Sequence, residues 1–464
     1  MINLATGMAI VVLLARLLDV AALGLYSFSF AVGSVLGILC LAGANQWITR
    51  EIARNPARVG SLLGNSLITR SAMTVVLLLA MELAFIRMGY SKQRILIITS
   101  LVTVRVIECL IFMLCAFFRA FEEMHFERRI RMCLNAISVG VGIPLLVITR
   151  SLLAYSVAQC ALTFLVLVAS YQVLVRRYDA KPFDAITRQE CLDVFTQGLD
   201  FSLYLILLVI YVQTNTILLT FFRGNAATGL YTAGFRFVSA LGVVAASSVN
   251  ALFPAMSRLN LREHSADIKM TYLRSTKYLL VISSFFSLVL FIFAPALIQF
   301  IYGKSLLPAA LGLRIMAFSV MFSYMNSSSA NLLFSLNMEK LAIRILGACV
   351  VFVIASNLIL LPLWGYLGAC LTTVLPELLN FGLQYKAIAG YLNDISLLMV
   401  LLKFVALSLG VVTVTSAGSR MPLALQGMLF VMSYALGLYL LRIFQPDEIA
   451  FVKDRYFRRS PVLA

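Results

Sequence analysis

Four arginines, Arg70, Arg105, Arg236 and Arg314, sit inside long apolar runs, as do the carboxylates Glu82, Glu108 and Glu377. A charge at mid-membrane costs at least about 2.5–3.5 kcal/mol on insertion scales, so each must face a cavity, a partner or the headgroups. Guanidinium offers a planar donor fork matched to phosphate oxygens and stays charged when partly desolvated, so these arginines suit a diphosphate. Blander roles remain open. Arg105 and Glu108 are three residues apart on one helix and can pair with each other. Arg236 and Arg314 open their helices and can serve as interfacial anchors, Glu82 and Arg87 lie near an interface where solvation is the default, and Lys403 can snorkel from a helix end.

Two polar stripes accompany the charges. Arg314, Met321, Tyr324, Ser328 and Asn331 fall at steps of seven, three, four and three, which places them on one helix face. Asp200, Tyr204, Tyr211 and Asn215 form a second stripe. Such stripes suit a water-filled cleft for a sugar headgroup; the competing role is helix stitching, worth roughly 0.6 kcal/mol per bond. Catalytic signatures are missing: His125 and His264 lie in different loops, and there is no P-loop, HExxH or nucleophile elbow. The eight cysteines form no CxxC pair and read as packing thiols, so neither a metal nor a cofactor is expected.

The elements that carry these residues are membrane spans. Of 464 residues 61% are hydrophobic and only 12% charged, against ~25% charged in soluble domains. The net charge of +17 is scattered between apolar runs rather than gathered on a face or tail, which argues against nucleic acid as a partner. Runs long enough to span ~30 Å of hydrocarbon fall near 1–18, 26–49, 61–86, 95–118, 132–149, 151–175, 198–222, 229–256, 277–301, 308–335, 341–363, 366–389, 395–416 and 422–443. That predicts about fourteen helices and an all-α membrane fold, with twelve or thirteen as alternatives where joins are tight. The chain begins inside an apolar run without a basic n-region, so no removable signal peptide is expected. With both termini cytoplasmic, the inner loops hold about three times as many Lys and Arg as the outer ones, as the positive-inside rule requires.

An internal repeat organises the spans. Gly24-Leu25-Tyr26-Ser27-Phe28-Ser29-Phe30 recurs as Gly229-Leu230-Tyr231-Thr232-Ala233-Gly234-Phe235, and at the same offset Ser34 matches Ser239, Leu36 matches Leu241, Asn45 matches Asn250 and Asn55 matches Asn260. Six helices separate the copies, an even number, so the halves are parallel and related by an axis along the membrane normal. The expected organisation is a six-helix lobe over 1–176, a charged cytoplasmic linker over 177–195, a second six-helix lobe over 196–390, two additional helices over 391–443 and a basic cytoplasmic tail over 444–464.

These features resemble the Wzx-type polysaccharide flippases, the lipid-linked oligosaccharide branch of the multidrug/oligosaccharidyl-lipid/polysaccharide exporter superfamily. The resemblance rests on Ala15-Arg16-Leu17-Leu18 before Gly24-Leu25-Tyr26, on Gly229-Leu230-Tyr231-Thr232-Ala233, on Leu252-Phe253-Pro254-Ala255 and on Leu313-Arg314-Ile315. It implies movement of an isoprenoid-diphosphate-linked glycan across the cytoplasmic (inner) membrane by alternating access, with membrane lipids and polysaccharide-assembly proteins as partners. Many relatives carry an acid late in helix seven, where this chain reads Gln213-Thr214-Asn215, which puts cation coupling through that position in doubt. The residues expected to bind substrate are Arg70, Arg105, Arg236, Arg314, Tyr211, Asn215, Tyr324, Ser328 and Asn331, with Arg105–Glu108 as an ion pair. A drug or metabolite exporter of the same superfamily is the alternative, and a membrane enzyme of polysaccharide assembly a more distant one.

Overall fold

A computed structural model of the chain describes residues 2–41, 44–182, 186–257, 265–391, 397–418 and 420–444, with backbone only at 2–5, 44, 195, 197–202, 243–257 and 265–267. The elements are α1 (Ile2–Leu17), α2 (Val20–Leu41), α3 (Ala44–Arg54), α4 (Val59–Arg87), α5 (Lys92–Ala120), α6 (Met124–Ile137), α7 (Ile143–Thr149), α8 (Leu152–Tyr178), α9 (Arg188–Ser257), α10 (Ser265–Ile292), α11 (Ala294–Tyr302), α12 (Ala309–Ser335), α13 (Glu339–Trp364), α14 (Tyr366–Ala389), α15 (Leu398–Ala417) and α16 (Leu423–Leu440). Among the described residues there is no strand, and twelve helical stretches are long and apolar enough to cross a membrane. This is a multi-pass, all-α membrane protein. The shorter apolar α1 is a further candidate, and two expected spans share α9.

At 70 residues α9 is far too long to be one straight span. It breaks at Gly224, whose φ of +77° is open to glycine and costly for other residues. The break makes a hairpin. Thr220 and Thr228 share a 2.8 Å hydroxyl contact, and the Asn215 amide donates to the Tyr231 hydroxyl at 3.4 Å. In a straight helix residues sixteen apart would lie ~24 Å from each other. The expected spans 198–222 and 229–256 are therefore its two arms.

A π-helical turn, Ser138–Gly142, joins α6 to α7. Pro144 has no N–H to give the i−4 carbonyl, and Gly140 and Gly142 let the backbone widen there.

The chain forms two compact units: 1–240, 295–312 and 339–380 make the first, and 241–294, 313–338 and 381–464 the second. Within the first, α5 is the central post, burying Met113, Leu114, Phe117 and Phe118 completely against neighbours that include Ile48, Leu62 and Leu174, and Ile111 against Val166. The opposite surfaces are apolar and exposed, as on α4 with Val75, Val76, Leu79, Leu83 and Ile86, which suits lipid rather than water. Outside the spans, Glu123 accepts from Arg177 at 2.8 Å and from the Tyr178 hydroxyl at 2.7 Å, tying the α5–α6 turn to the end of α8. The Arg177 bond, then the Tyr178 bond, hold this carboxyl below the usual carboxylate range. In the second unit, the Ser287 hydroxyl donates to the Ala317 carbonyl at 2.8 Å, and Tyr434 of α16 donates to the Val281 carbonyl at 2.6 Å beside Phe285 and Phe430.

The repeated Gly-Leu-Tyr segments meet each other. A Cβ on Gly24 would lie 1.8 Å from the Asn225 carbonyl oxygen, and one on Gly229 would lie 2.1 Å from the Val20 carbonyl oxygen. Val20 and Asn225 are separated by the same 205 residues as Gly24 and Gly229. The two contacts thus recur at one offset, and each needs a small residue for close backbone approach.

Gly24→Leu and Gly229→Leu are each expected to drive the helices apart and lower the thermal midpoint of the detergent-purified protein by several degrees, because overpacking costs about 1–3 kcal/mol or more. Gly347→Ala, where nothing lies within 4 Å, should leave the midpoint unchanged or higher. Thermal scans read by size-exclusion chromatography compare the three.

Candidate functional site

The first unit holds a partly open cavity of about 370 Å³ with mixed polar and apolar lining. One side is cationic: Arg105 on α5 and Arg236 on the second arm of α9 flank the Phe30 ring, their guanidinium carbons 4.2 and 5.5 Å from its centroid. Cation–π attraction of ~0.5–2 kcal/mol per contact lets one ring hold two like charges close together. Arg105 also pairs with Glu108, one turn along α5, while its Nε is buried without a hydrogen-bond partner. Arg236 has no ion pair among the described residues. Arg131, at another part of the wall, gives two donors to Glu127 at 3.0 and 2.7 Å. Glu127 also accepts from Arg119 at 2.9 Å, so the three arginines of the lining outnumber its one carboxylate, and Arg236 has no share in either acid.

The rest of the lining is uncharged and rich in hydrogen-bonding groups. Asn135 and Ser138 come from α6 and its π turn, Tyr155 and Gln159 from α8, and Tyr26 from α2. Gln159 donates to the Ser138 hydroxyl at 2.9 Å and packs against Gly142, where a Cβ would stand 3.2 Å from its amide oxygen. Cationic and amide–hydroxyl walls together suit an anionic group carrying a polar, sugar-like moiety.

The expected binding residues divide by location. Arg105, Glu108 and Arg236 come together in this cavity. Arg70 does not reach it: wholly buried, it donates to the Cys40 carbonyl near the end of α2 at 2.8 Å and to the Val194 carbonyl at 2.9 Å. At Cys40 this is the chemistry of a helix C-terminus, where carbonyls lack intrahelical donors and favour a cation, while Val194 lies in the second turn of α9. Arg314, in the second unit, donates through Nε to the Phe291 carbonyl at 3.2 Å, one residue before α10 ends. On the same helix Tyr324 donates to the Leu241 carbonyl at 2.9 Å, Ser328 shares a 3.3 Å contact with Thr276, and Asn331 is half-buried.

Tyr211 and Asn215 belong to a buried polar cluster at the α9 hairpin. The Asn215 amide donates to Thr373 at 3.0 Å, and its carbonyl accepts from Asn357 at 2.7 Å and Thr372 at 3.3 Å. Tyr211 donates to Glu377 at 3.1 Å. One amide, Asn357, and three hydroxyls, Tyr231, Thr372 and Thr373, thus surround Asn215. The side chain of Asp200, at the head of that stripe, lies outside the described residues.

Tyr26, Phe30, Arg131, Asn135, Ser138, Tyr155 and Gln159 were not among the expected site residues. Helical spacing carries part of their signal: Arg131, Asn135 and Ser138 step by four and three, and Tyr155 and Gln159 by four.

Comparisons with known proteins agree with this architecture. Among solved structures, the fold is similar to the lipid II flippase MurJ in an inward closed conformation, with a TM-score of 0.72, 12% identity and coverage of 95% of this chain and 96% of that one. It is also similar to an inward-facing multidrug resistance MATE family transporter of the MOP superfamily, with a TM-score of 0.62, 17% identity and coverage of 85% and 96%. In sequence it is 28% identical over 159 residues to an uncharacterized membrane protein of Methanocaldococcus jannaschii, a stretch covering 34% of this chain and 31% of that relative. The sequence model of the polysaccharide biosynthesis protein family matches residues 1–260, more than half of the chain, and the protein belongs to that family.

Proposed function

We propose that the protein translocates an isoprenoid-diphosphate-linked oligosaccharide across the cytoplasmic membrane by alternating access, with Arg105 and Arg236 holding the diphosphate. The observation that carries this reading is the pair of guanidinium groups flanking Phe30 in a cavity whose other walls mix amides and hydroxyls with apolar side chains. A diphosphate takes the bidentate forks, and sugar hydroxyls exchange bonds with Asn135, Ser138, Tyr155 and Gln159. The family match and the likeness to a protein named as a lipid II flippase support it. Two parallel six-helix lobes, 1–176 and 196–390, followed by two further helices, are supported by the paired Gly24 and Gly229 contacts. The distribution of Lys and Arg supports cytoplasmic termini.

Glu108 has a part in this reading. It pairs with Arg105 when no anion is present, so an arriving phosphate competes with a carboxylate for that guanidinium while Arg236 offers it an unshared one.

Proteoliposomes carrying a fluorescent isoprenoid-diphosphate sugar test the proposal through the rate at which the label changes leaflet. Arg105→Ala and Arg236→Ala should each slow transfer by about ten- to a hundredfold, the cost of one charge-assisted hydrogen bond. Arg236→Lys should be milder, and Arg314→Ala close to wild type. Unchanged transfer in both alanine variants would remove the assignment.

Glu108→Gln separates competition from structure. With Arg105 released, the protein should bind the isoprenoid-diphosphate probe several-fold more tightly and let it go more slowly, so titration affinity rises while turnover does not. A weaker affinity would instead mean that Glu108 merely positions Arg105.

A further inference from the structure

The second unit holds a basic pocket of its own, of about 130 Å³, several times the ~10–15 Å³ that one water needs. Lys277 of α10, Lys403 of α15 and Arg442 just past α16 line it, and no acidic residue does among the described residues. The sequence scatters these cations over 165 positions and gives each a bland role at a helix end or loop. The fold brings them together. Lys403 lies six residues into α15, and Arg442 follows the last turn of α16 in a left-handed conformation, φ +46°, that closes the helix with bonds from Ile443 N–H to the Leu438 carbonyl and from Arg442 N–H to the Tyr439 carbonyl. Lys403 donates to the Arg442 carbonyl at 3.5 Å, using one of its three N–H groups.

The surroundings are those of a lipid site and not of a soluble anion. Phe404 and Ile443 form a buried apolar floor. Met399 stands at the rim and begins an exposed apolar stripe, Met399, Leu402, Val405 and Leu409, that runs along α15 at steps of three, three and four. A phosphate among the three cations would leave its acyl chains on that stripe. Basic pockets between transmembrane helices on the cytoplasmic side are suited to anionic lipid headgroups, and all three residues lie on the side that the charge distribution places in the cytoplasm.

We propose that Lys277, Lys403 and Arg442 form a site for the phosphate of an anionic phospholipid, separate from the cavity around Phe30. It does not rest on the translocation reading and would stand if that reading failed. Phosphatidylglycerol is the appropriate probe, because its phosphate carries no neighbouring headgroup amine.

The full chain, purified in detergent and exposed to equal amounts of phosphatidylglycerol and phosphatidylcholine, should retain the former preferentially by native mass spectrometry and gain thermal stability from it alone. K403Q/R442Q should lose that preference by about tenfold, and K403R/R442K should keep most of it. Inorganic phosphate at millimolar concentration should give no comparable gain. Equal retention of the two lipids by wild type, undiminished preference in K403Q/R442Q, or full stabilisation by inorganic phosphate would each overturn the assignment. Should K403Q/R442Q fold poorly, K403Q and R442Q alone decide by the same retention ratio.

Discussion

Where α2 crosses the second arm of α9, two backbones touch with no side chain between them. Gly24 lies under the Asn225 carbonyl and Gly229 under that of Val20, and much of the first unit's chemistry follows from the closeness of that crossing. Six residues beyond Gly24 comes Phe30, and seven beyond Gly229 comes Arg236. Helices held this near bring ring and guanidinium within 5.5 Å. Further along α2, Gly33 and Gly37 do the same against α5: Cβ atoms there would stand 2.8 Å from the Arg105 Cβ and 2.6 Å from the Cys109 sulfur. Glycine thus draws α5 and α9 onto opposite sides of α2, and Arg105 reaches the Phe30 ring that Arg236 also faces. In a bilayer, where apolar side chains gain nothing by leaving lipid for one another, such close contact is a main source of helix association.

Cations away from the cavity serve a different purpose. Arg16 donates to the Phe300 and Ile301 carbonyls at the end of α11, Arg223 to the Leu361 and Pro362 carbonyls at the end of α13, and Arg70 to the Cys40 carbonyl near the end of α2. Each brings a cation to a helix terminus whose last carbonyls lack intrahelical donors. Arginine therefore has two meanings here, and what separates them is the partner: main-chain carbonyls at a terminus, or an aromatic ring beside open volume.

Hydropathy and charge made the all-α membrane fold legible, because a bilayer imposes length and polarity on every span regardless of how spans pack. Gly24 and Gly229, singled out by their 205-residue offset, both stand where a side chain would separate backbones. Less was visible of which polar residues share a cavity. Tyr324 and Ser328 show the same helical period as a cleft-lining stripe, yet their hydroxyls reach the Leu241 carbonyl and Thr276. Periodicity reports that residues share a face and is silent on what the face meets. Arg131 carries the opposite lesson: counted by sequence among loop charges, it is part of the cavity wall because α6 begins at Met124, earlier than its apolar run.

The cluster around Asn215 has a consequence for biogenesis. Its partners Asn357, Thr372 and Thr373 lie about 140 to 160 residues further along the chain. At the ~5–20 residues per second typical of synthesis, the Asn215 amide would enter the bilayer roughly 7 to 30 s before those partners exist. The neighbouring arm of the hairpin arrives first, with Tyr231 only sixteen residues behind. Gly224 therefore does more than reverse the chain. It lets a polar helix leave the translocon already accompanied, so that insertion need not wait for the last helices to be made.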